Sequence, residues 1–239
     1  KRAAHNSALI DAMTGGGGEG LGSNSWVISG ERTETGAPIL ANDPHLGLRL
    51  PGHWFQAHLR APGLEVGGMT LPGVPGVVIG QNADVAWVLT NVMLDDQDLF
   101  LEELSADGSR VRRGSDWRAV ERSVETLPVR GGAGVEIELV STDLGPLHPA
   151  DPERGVPARS LRWTGHLEAD PLSAFIHLAR VETVAEIPAG IDRYVAPAQN
   201  LVAADRHGGL LYTALGRLPA RRRGDGRLPV PRWDPSYGW

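Results

Sequence analysis

Apolar residues come in short bursts separated by glycine- and proline-containing turns, and the first burst, Ser25 to Ser29, follows a polar, glycine-rich lead without transition. It predicts a strand. Glu34-Thr35-Gly36-Ala37-Pro38 predicts a turn, and Ile39 to Ala41 the returning strand of a β-hairpin. Apolar stretches at Trp54 to Leu59, Val77 to Ile79 and Val85 to Leu89, punctuated by Pro-Gly turns, predict further short antiparallel strands in a layered sheet. From Val111 to Val140 the chain reads as a polar meander that covers an edge of the core. Within it Val135-Glu136-Ile137-Glu138-Leu139 alternates at period two, as a half-exposed strand does. Pro171 to Val195 changes period: Leu172, Phe175, Ile176, Leu178 and Ala179 keep helical spacing behind a proline suited to a first turn, which predicts one or two helices. Strands resume at Asn200 to Ala204 and Leu210 to Ala214, around the turn Asp205-Arg206-His207-Gly208-Gly209. Residues 1–13 predict one short helix, and Thr14 to Gly22, with six glycines, a linker that ends near Ser23.

Composition narrows the class. Among 239 residues, 31 glycines and 18 prolines without a collagen-like period fit a turn-rich, mostly β globular chain with enough length to bury a core. A formal net charge of -6 gives no basic field, so neither nucleic acid nor an anionic membrane is an expected partner. The absence of cysteine removes disulfides, thiolate catalysis and Cys-ligated metals together. No apolar run approaches the roughly 20 residues that span a bilayer. The chain lacks an initiator Met and stops inside an aromatic-rich segment, and so reads as an excised fragment.

The candidate chemistry begins at Gly22-Ser23, where a glycine tract meets a strand. A serine freed at its amino end carries hydroxyl and amine on one residue, and needs no separate His-Asp pair. Taken alone, Gly-Ser is more often a linker. Here it heads an ordered set: Gly22-Ser23-Asn24-Ser25-Trp26, Asn42-Asp43-Pro44-His45-Leu46, Pro72-Gly73-Val74-Pro75-Gly76, Gly80-Gln81-Asn82, Trp87 and Thr90-Asn91. Asp95-Asp96-Gln97-Asp98-Leu99-Phe100, Arg162-Trp163-Thr164, Pro197-Ala198-Gln199-Asn200, Ala204-Asp205 and Gly216-Arg217-Leu218-Pro219-Ala220-Arg221 continue it. Across residues 20–239 this set resembles the penicillin acylase family of N-terminal nucleophile hydrolases.

The resemblance implies an α+β fold, part of an αββα sandwich, mostly antiparallel β with one or two helices. It implies that residues 1–22 end a spacer peptide and that 23–239 are the first part of a β chain. The α chain of the same precursor and the remainder of the β chain would be partners, and the compartment periplasmic or extracellular. Cleavage between Gly22 and Ser23 would leave Ser23 as nucleophile, forming an acyl-serine with a small-molecule amide substrate. That amide would belong to a β-lactam side chain or an acyl-homoserine lactone. Asn200 and the backbone N–H of Asn91, or of Val92 if the register slips by one, would be oxyanion donors. His45 would orient the nucleophile or relay a proton; His53 and His58 match no zinc spacing and read as structural. Leu46, Ile79, Leu89 and Met93 would line the acyl pocket, and being aliphatic or thioether they favour a flexible acyl chain over phenylacetyl. Arg221 would lie near the active site. Asp95 and Asp98 would hold a structural calcium, or form a solvated acidic turn. No cofactor is expected for catalysis. The alternative function is a non-catalytic, calcium-stabilised β-rich binding module in which Ser23 is never freed.

Overall fold

A computed structural model describes residues 22–46 and 50–239; the helix expected at 1–13 and the linker up to Leu21 lie outside the described residues. The chain forms two compact units, one from the described residues of Lys1–Met93 with Ala169–Arg217, the other from Leu94–Glu168 with Leu218–Trp239.

The first unit opens with β1 (Asn24–Ile28) and β2 (Ile39–Asp43), the expected hairpin, antiparallel with Trp26 opposite Ala41. Then come β3 (Phe55–Ala61), β4 (Leu64–Thr70), β5 (Ile79–Gln81) and β6 (Val85–Asn91). The chain next supplies the second unit with β7 (Gln97–Leu101), β8 (Arg110–Arg113), β9 (Asp116–Ala119), β10 (Glu121–Leu127), β11 (Val135–Thr142), β12 (Gly145–His148) and β13 (Arg159–Trp163). It returns to the first unit with α1 (Pro171–Leu178), α2 (Ile187–Gly190), β14 (Gln199–Asp205) and β15 (Leu210–Leu215), and closes in the second with β16 (Val230–Pro231).

The main sheet of the first unit has the order β15-β14-β6-β5-β4-β3, all antiparallel. Its central strands β6 and β14 are buried or half-buried along nearly their whole length, as strands covered on both faces are. Trp87, Val85, Leu89, Leu201 and Ala203 form one buried cluster with Phe175, Leu178 and Ile187 from the helices, which fixes the helical layer on that face. The β1–β2 hairpin packs against β6 and β14 as well, and Asn42 Nδ2 ties it there, donating to Leu89 O at 3.1 Å and to Asn24 O at 3.0 Å. α1 starts where the sequence signals it: Asp170 caps the helix by accepting from Ser173 N at 3.1 Å, and Pro171 fills the first turn. Asn82 locks helix to sheet, accepting from Val85 N at the β5–β6 turn while donating to Leu178 O and Val181 O.

The second unit is a sheet of order β10-β11-β12-β13-β7-β16, in which only the β16–β7 pair is parallel, plus the β8–β9 pair. Residues 111–140, expected as an insert over the core's edge, are therefore strands of a separate unit with its own sheet. A buried ionic group holds it: Arg113 donates to Glu102 and Asp143, and Ser160 Oγ donates to Glu102 Oε1 at 2.8 Å. No helix among the described residues is long and apolar enough to cross a membrane.

Candidate active site

Ser23 sits immediately before β1, half-buried, while Gly22 is exposed and a side chain there would meet nothing within 4 Å. The hydroxyl is already held: His45 N donates to Ser23 Oγ at 3.2 Å. This bond exists because β1 and β2 pair in register as far as Asn24 opposite Asp43, which brings the residue before β1 beside the chain leaving β2. The contact between residue 45 and the Ser23 hydroxyl is thus made by the main chain. The His45 imidazole turns the other way, with Nδ1 2.9 Å from Asp43 O and Nε2 3.7 Å from Asp43 Oδ2.

Ser23 lines a cavity of about 330 Å³ within the first unit, in the size range of small-molecule sites. Leu46, Ile79 and Leu89 line it as the sequence predicts, with Asn91 beside them. Leu71, Val74 and Val78 add to the aliphatic wall, and Trp54, Phe175 and Tyr194 supply aromatic surface that the sequence reading does not assign to the site. Phe175 follows from the amphipathic period of α1. Trp54 and Tyr194 stand in irregular segments, where no period points to a face. Phe175 and Tyr194 meet edge to face, ring centroids 6.1 Å apart, and burial pushes the Tyr194 hydroxyl up to about 12, so it stays protonated at neutral pH.

Three expected site residues lie elsewhere. Met93 is 95 % exposed and outside the cavity lining. Asn200 does not line it either: side chains alternate along β14, and its neighbour Gln199 takes the place on the wall. The Asn200 amide is engaged across the sheet, Nδ2 donating to Thr90 Oγ1 at 3.1 Å and to Asn91 O at 3.4 Å, while Oδ1 accepts from Tyr212 OH at 2.9 Å. It braces the strand that carries Asn91. Of the two backbone N–H groups considered as oxyanion donors, that of Val92 is committed to Ala198 O at 3.4 Å.

Arg221 belongs to the second unit and is joined there to Asp95 and Asp98. Its Nε donates to Asp98 Oδ2 at 2.8 Å and its Nη2 to Asp95 O at 3.0 Å, and Trp239 Nε1 donates to the same Asp98 oxygen at 2.5 Å. Burial works to lower the Arg221 pKa, but the hydrogen bond and charge of Asp98, then of Asp95, hold it above its usual value. Gly226, at φ +78°, lets the chain pass over this guanidinium: a Cβ would come 2.7 Å from its central carbon. Asp95 and Asp98, the expected calcium ligands, are both paired with the Arg221 guanidinium in this structure. One guanidinium against two carboxylates leaves the cluster net negative, and among the described residues no group of three His, Asp or Glu side chains is placed to hold a metal, so further ligands would come from the rest of the polypeptide. His58 pairs with Glu65 at 3.3 Å, a surface contact in keeping with a structural role.

Comparison with known proteins places this geometry. The penicillin amidase family model matches residues 2–239. Penicillin acylase 2 proenzyme from Pseudomonas sp. (strain SE83) is 36% identical over 236 residues, covering 97% of this chain and 30% of that protein. Acyl-homoserine lactone acylase QuiP from Pseudomonas aeruginosa is 34% identical over 235 residues, covering 91% of this chain and 27% of that protein. The chain therefore spans under a third of the length of these relatives. In structure it resembles a thermostable penicillin G acylase from Alcaligenes faecalis, with a TM-score of 0.81 and 27% identity over 90% of this chain and 39% of that one. The fold is the α+β fold of that acylase, and the chain belongs to the penicillin amidase family.

Proposed function

We propose that this chain carries the nucleophile and most of the acyl cavity of an amidohydrolase that removes an acyl group from a small-molecule amide. The observation that carries the reading is the position of Ser23: its hydroxyl is oriented by a main-chain N–H and faces a largely apolar cavity. In maturation, Ser23 Oγ attacks the Gly22 carbonyl, the bond from that carbonyl to the Ser23 nitrogen breaks, and water hydrolyses the resulting ester. This leaves a carboxylate on Gly22 and a free amine on Ser23. An exposed glycine before the serine suits this step, because its backbone reaches conformations other residues resist. Residues 1–22 are then spacer, and the freed amine, with a reference pKa of about 7.7 to 8.0, accepts the hydroxyl proton in each later turnover.

In turnover the hydroxyl oxygen attacks the substrate carbonyl, the proton passes through the amine to the departing nitrogen, and water then releases the acid from the acyl-serine. The Asn91 N–H is the oxyanion donor, and a donor of this kind is typically worth about 2.7 to 4 kcal/mol. Asn200 acts as a positioning residue through its bonds to Thr90 and Asn91. The aliphatic wall favours a flexible acyl chain, and the names of the relatives supply two leaving-group classes, a β-lactam nucleus and a homoserine lactone. The α chain of the same precursor and the remainder of the β chain are partners in the working enzyme. Assay of the complete protein on aliphatic and phenylacetyl amides tests the reading: faster turnover of aliphatic amides is expected, and phenylacetyl amides cleaved far faster would overturn the acyl assignment.

A further inference from the structure

Tyr194 lines two hollows of the first unit at once. One is the cavity beside Ser23; the other is a groove of about 190 Å³ lined by Pro188, Ile191, Ala214 and Leu215 among others. The residue is only 4% exposed although it borders both, and so stands between them. The partition is held in place by packing and main chain: Tyr194 N donates to Ile191 O at 3.0 Å, and the ring stands edge-on to Phe175 at 87°. The groove beyond joins the hydrocarbon of Pro188, Ile191, Ala214 and Leu215, onto which a methylene chain could continue, with the Asp192–Arg217 ion pair.

We propose that the Tyr194 ring is the length gauge of the acyl site, closing the cavity against the groove and so setting the longest acyl chain admitted. The proposal rests on the cavity being the acyl site. With the ring removed, cavity and groove become one channel and longer chains thread through. Each further methylene buried there strengthens binding by roughly a factor of four, so two more strengthen it by roughly fifteenfold.

The test uses the complete protein and two readouts across one series of chain lengths, butanoyl to tetradecanoyl: calorimetric binding of the free straight-chain carboxylates, and kcat/KM on the corresponding amides. Tyr194→Phe keeps the ring and the wild-type ranking of chain lengths. Tyr194→Ala moves the optimum towards longer chains in both readouts, and Tyr194→Leu, a milder change if the alanine variant folds poorly, moves it less far in the same direction. Amides cleaved with an unmoved optimum in both smaller variants would overturn the gauge while leaving the acylase reading intact. A moved carboxylate optimum in a protein that cleaves no amide would keep the gauge and overturn the acylase reading.

Discussion

Beside Ser23 the cavity wall is mostly hydrocarbon, and the Ser23 hydroxyl is held by a main-chain N–H. Around Asp98 the balance is reversed: a nearly buried carboxylate receives a guanidinium and an indole N–H on the same oxygen, and Asp95 completes the pairing. Both regions carry family motifs, yet one is open and the other closed. A site that must accept a ligand keeps room and leaves its reactive group lightly committed. A site that serves the fold satisfies its charges internally, because an unpaired buried charge is costly. The contrast supports the proposed chemistry at the first region and an architectural part for the second.

That division can be broken most forcefully in the second region. Arg221→Met strands the Asp98 carboxylate and is expected to destabilise the protein by about 3–5 kcal/mol in chemical denaturation; a loss under 1 kcal/mol would mean the pairing is incidental. A chelator decides the calcium expectation in the same region: a clear drop in the melting temperature of the complete protein would assign calcium to Asp95 and Asp98, and an unchanged value would leave them to Arg221.

A smaller effect is expected at Asp205, which pins the framework behind the cavity. Burial favours its neutral form, but N–H groups of Val184, Gly209 and His207 outweigh it and hold the carboxyl below its usual range. A depressed folded pKa stabilises above the unfolded value of about 3.9 and is lost as pH falls through the folded one. Asp205→Asn should therefore cost on the order of 1–3 kcal/mol at neutral pH, with the gap to wild type closing in acid. Equal stability of the two at neutral pH would contradict the assignment. His45→Gln should have the smallest effect, changing kcat/KM by less than about tenfold, because the bond to Ser23 comes from the backbone. A larger loss would give the imidazole a direct role.

Much of the first unit was legible because its signals are local. The β1–β2 hairpin, the proline-started α1 and the β14–β15 pair each carry a turn or period within a dozen residues. β4 is missing from the predicted strands, and Gly67-Gly68 at its centre weakens the period-two signal there. The structure needs glycine there because a Cβ on Gly68 would lie 2.1 Å from Ile79 O, so close strand packing produces the weakened signal. The second unit was less legible, since its sheet pairs Val230 with Phe100 across a long separation that leaves no local mark. At the site, Leu46, Ile79 and Leu89 were placed by motif. Trp54 and Tyr194 converge only through tertiary packing, and Asn200 shows that a motif gives a position while strand alternation decides which way the side chain points.

The central claim concerns one peptide bond, and intact-mass spectrometry of the complete precursor and its Ser23→Ala variant tests it directly. The account predicts that the parent appears as two chains, the second beginning at Ser23, and that the variant stays whole. A parent that remains uncut, or a variant cut at the same bond, would contradict it.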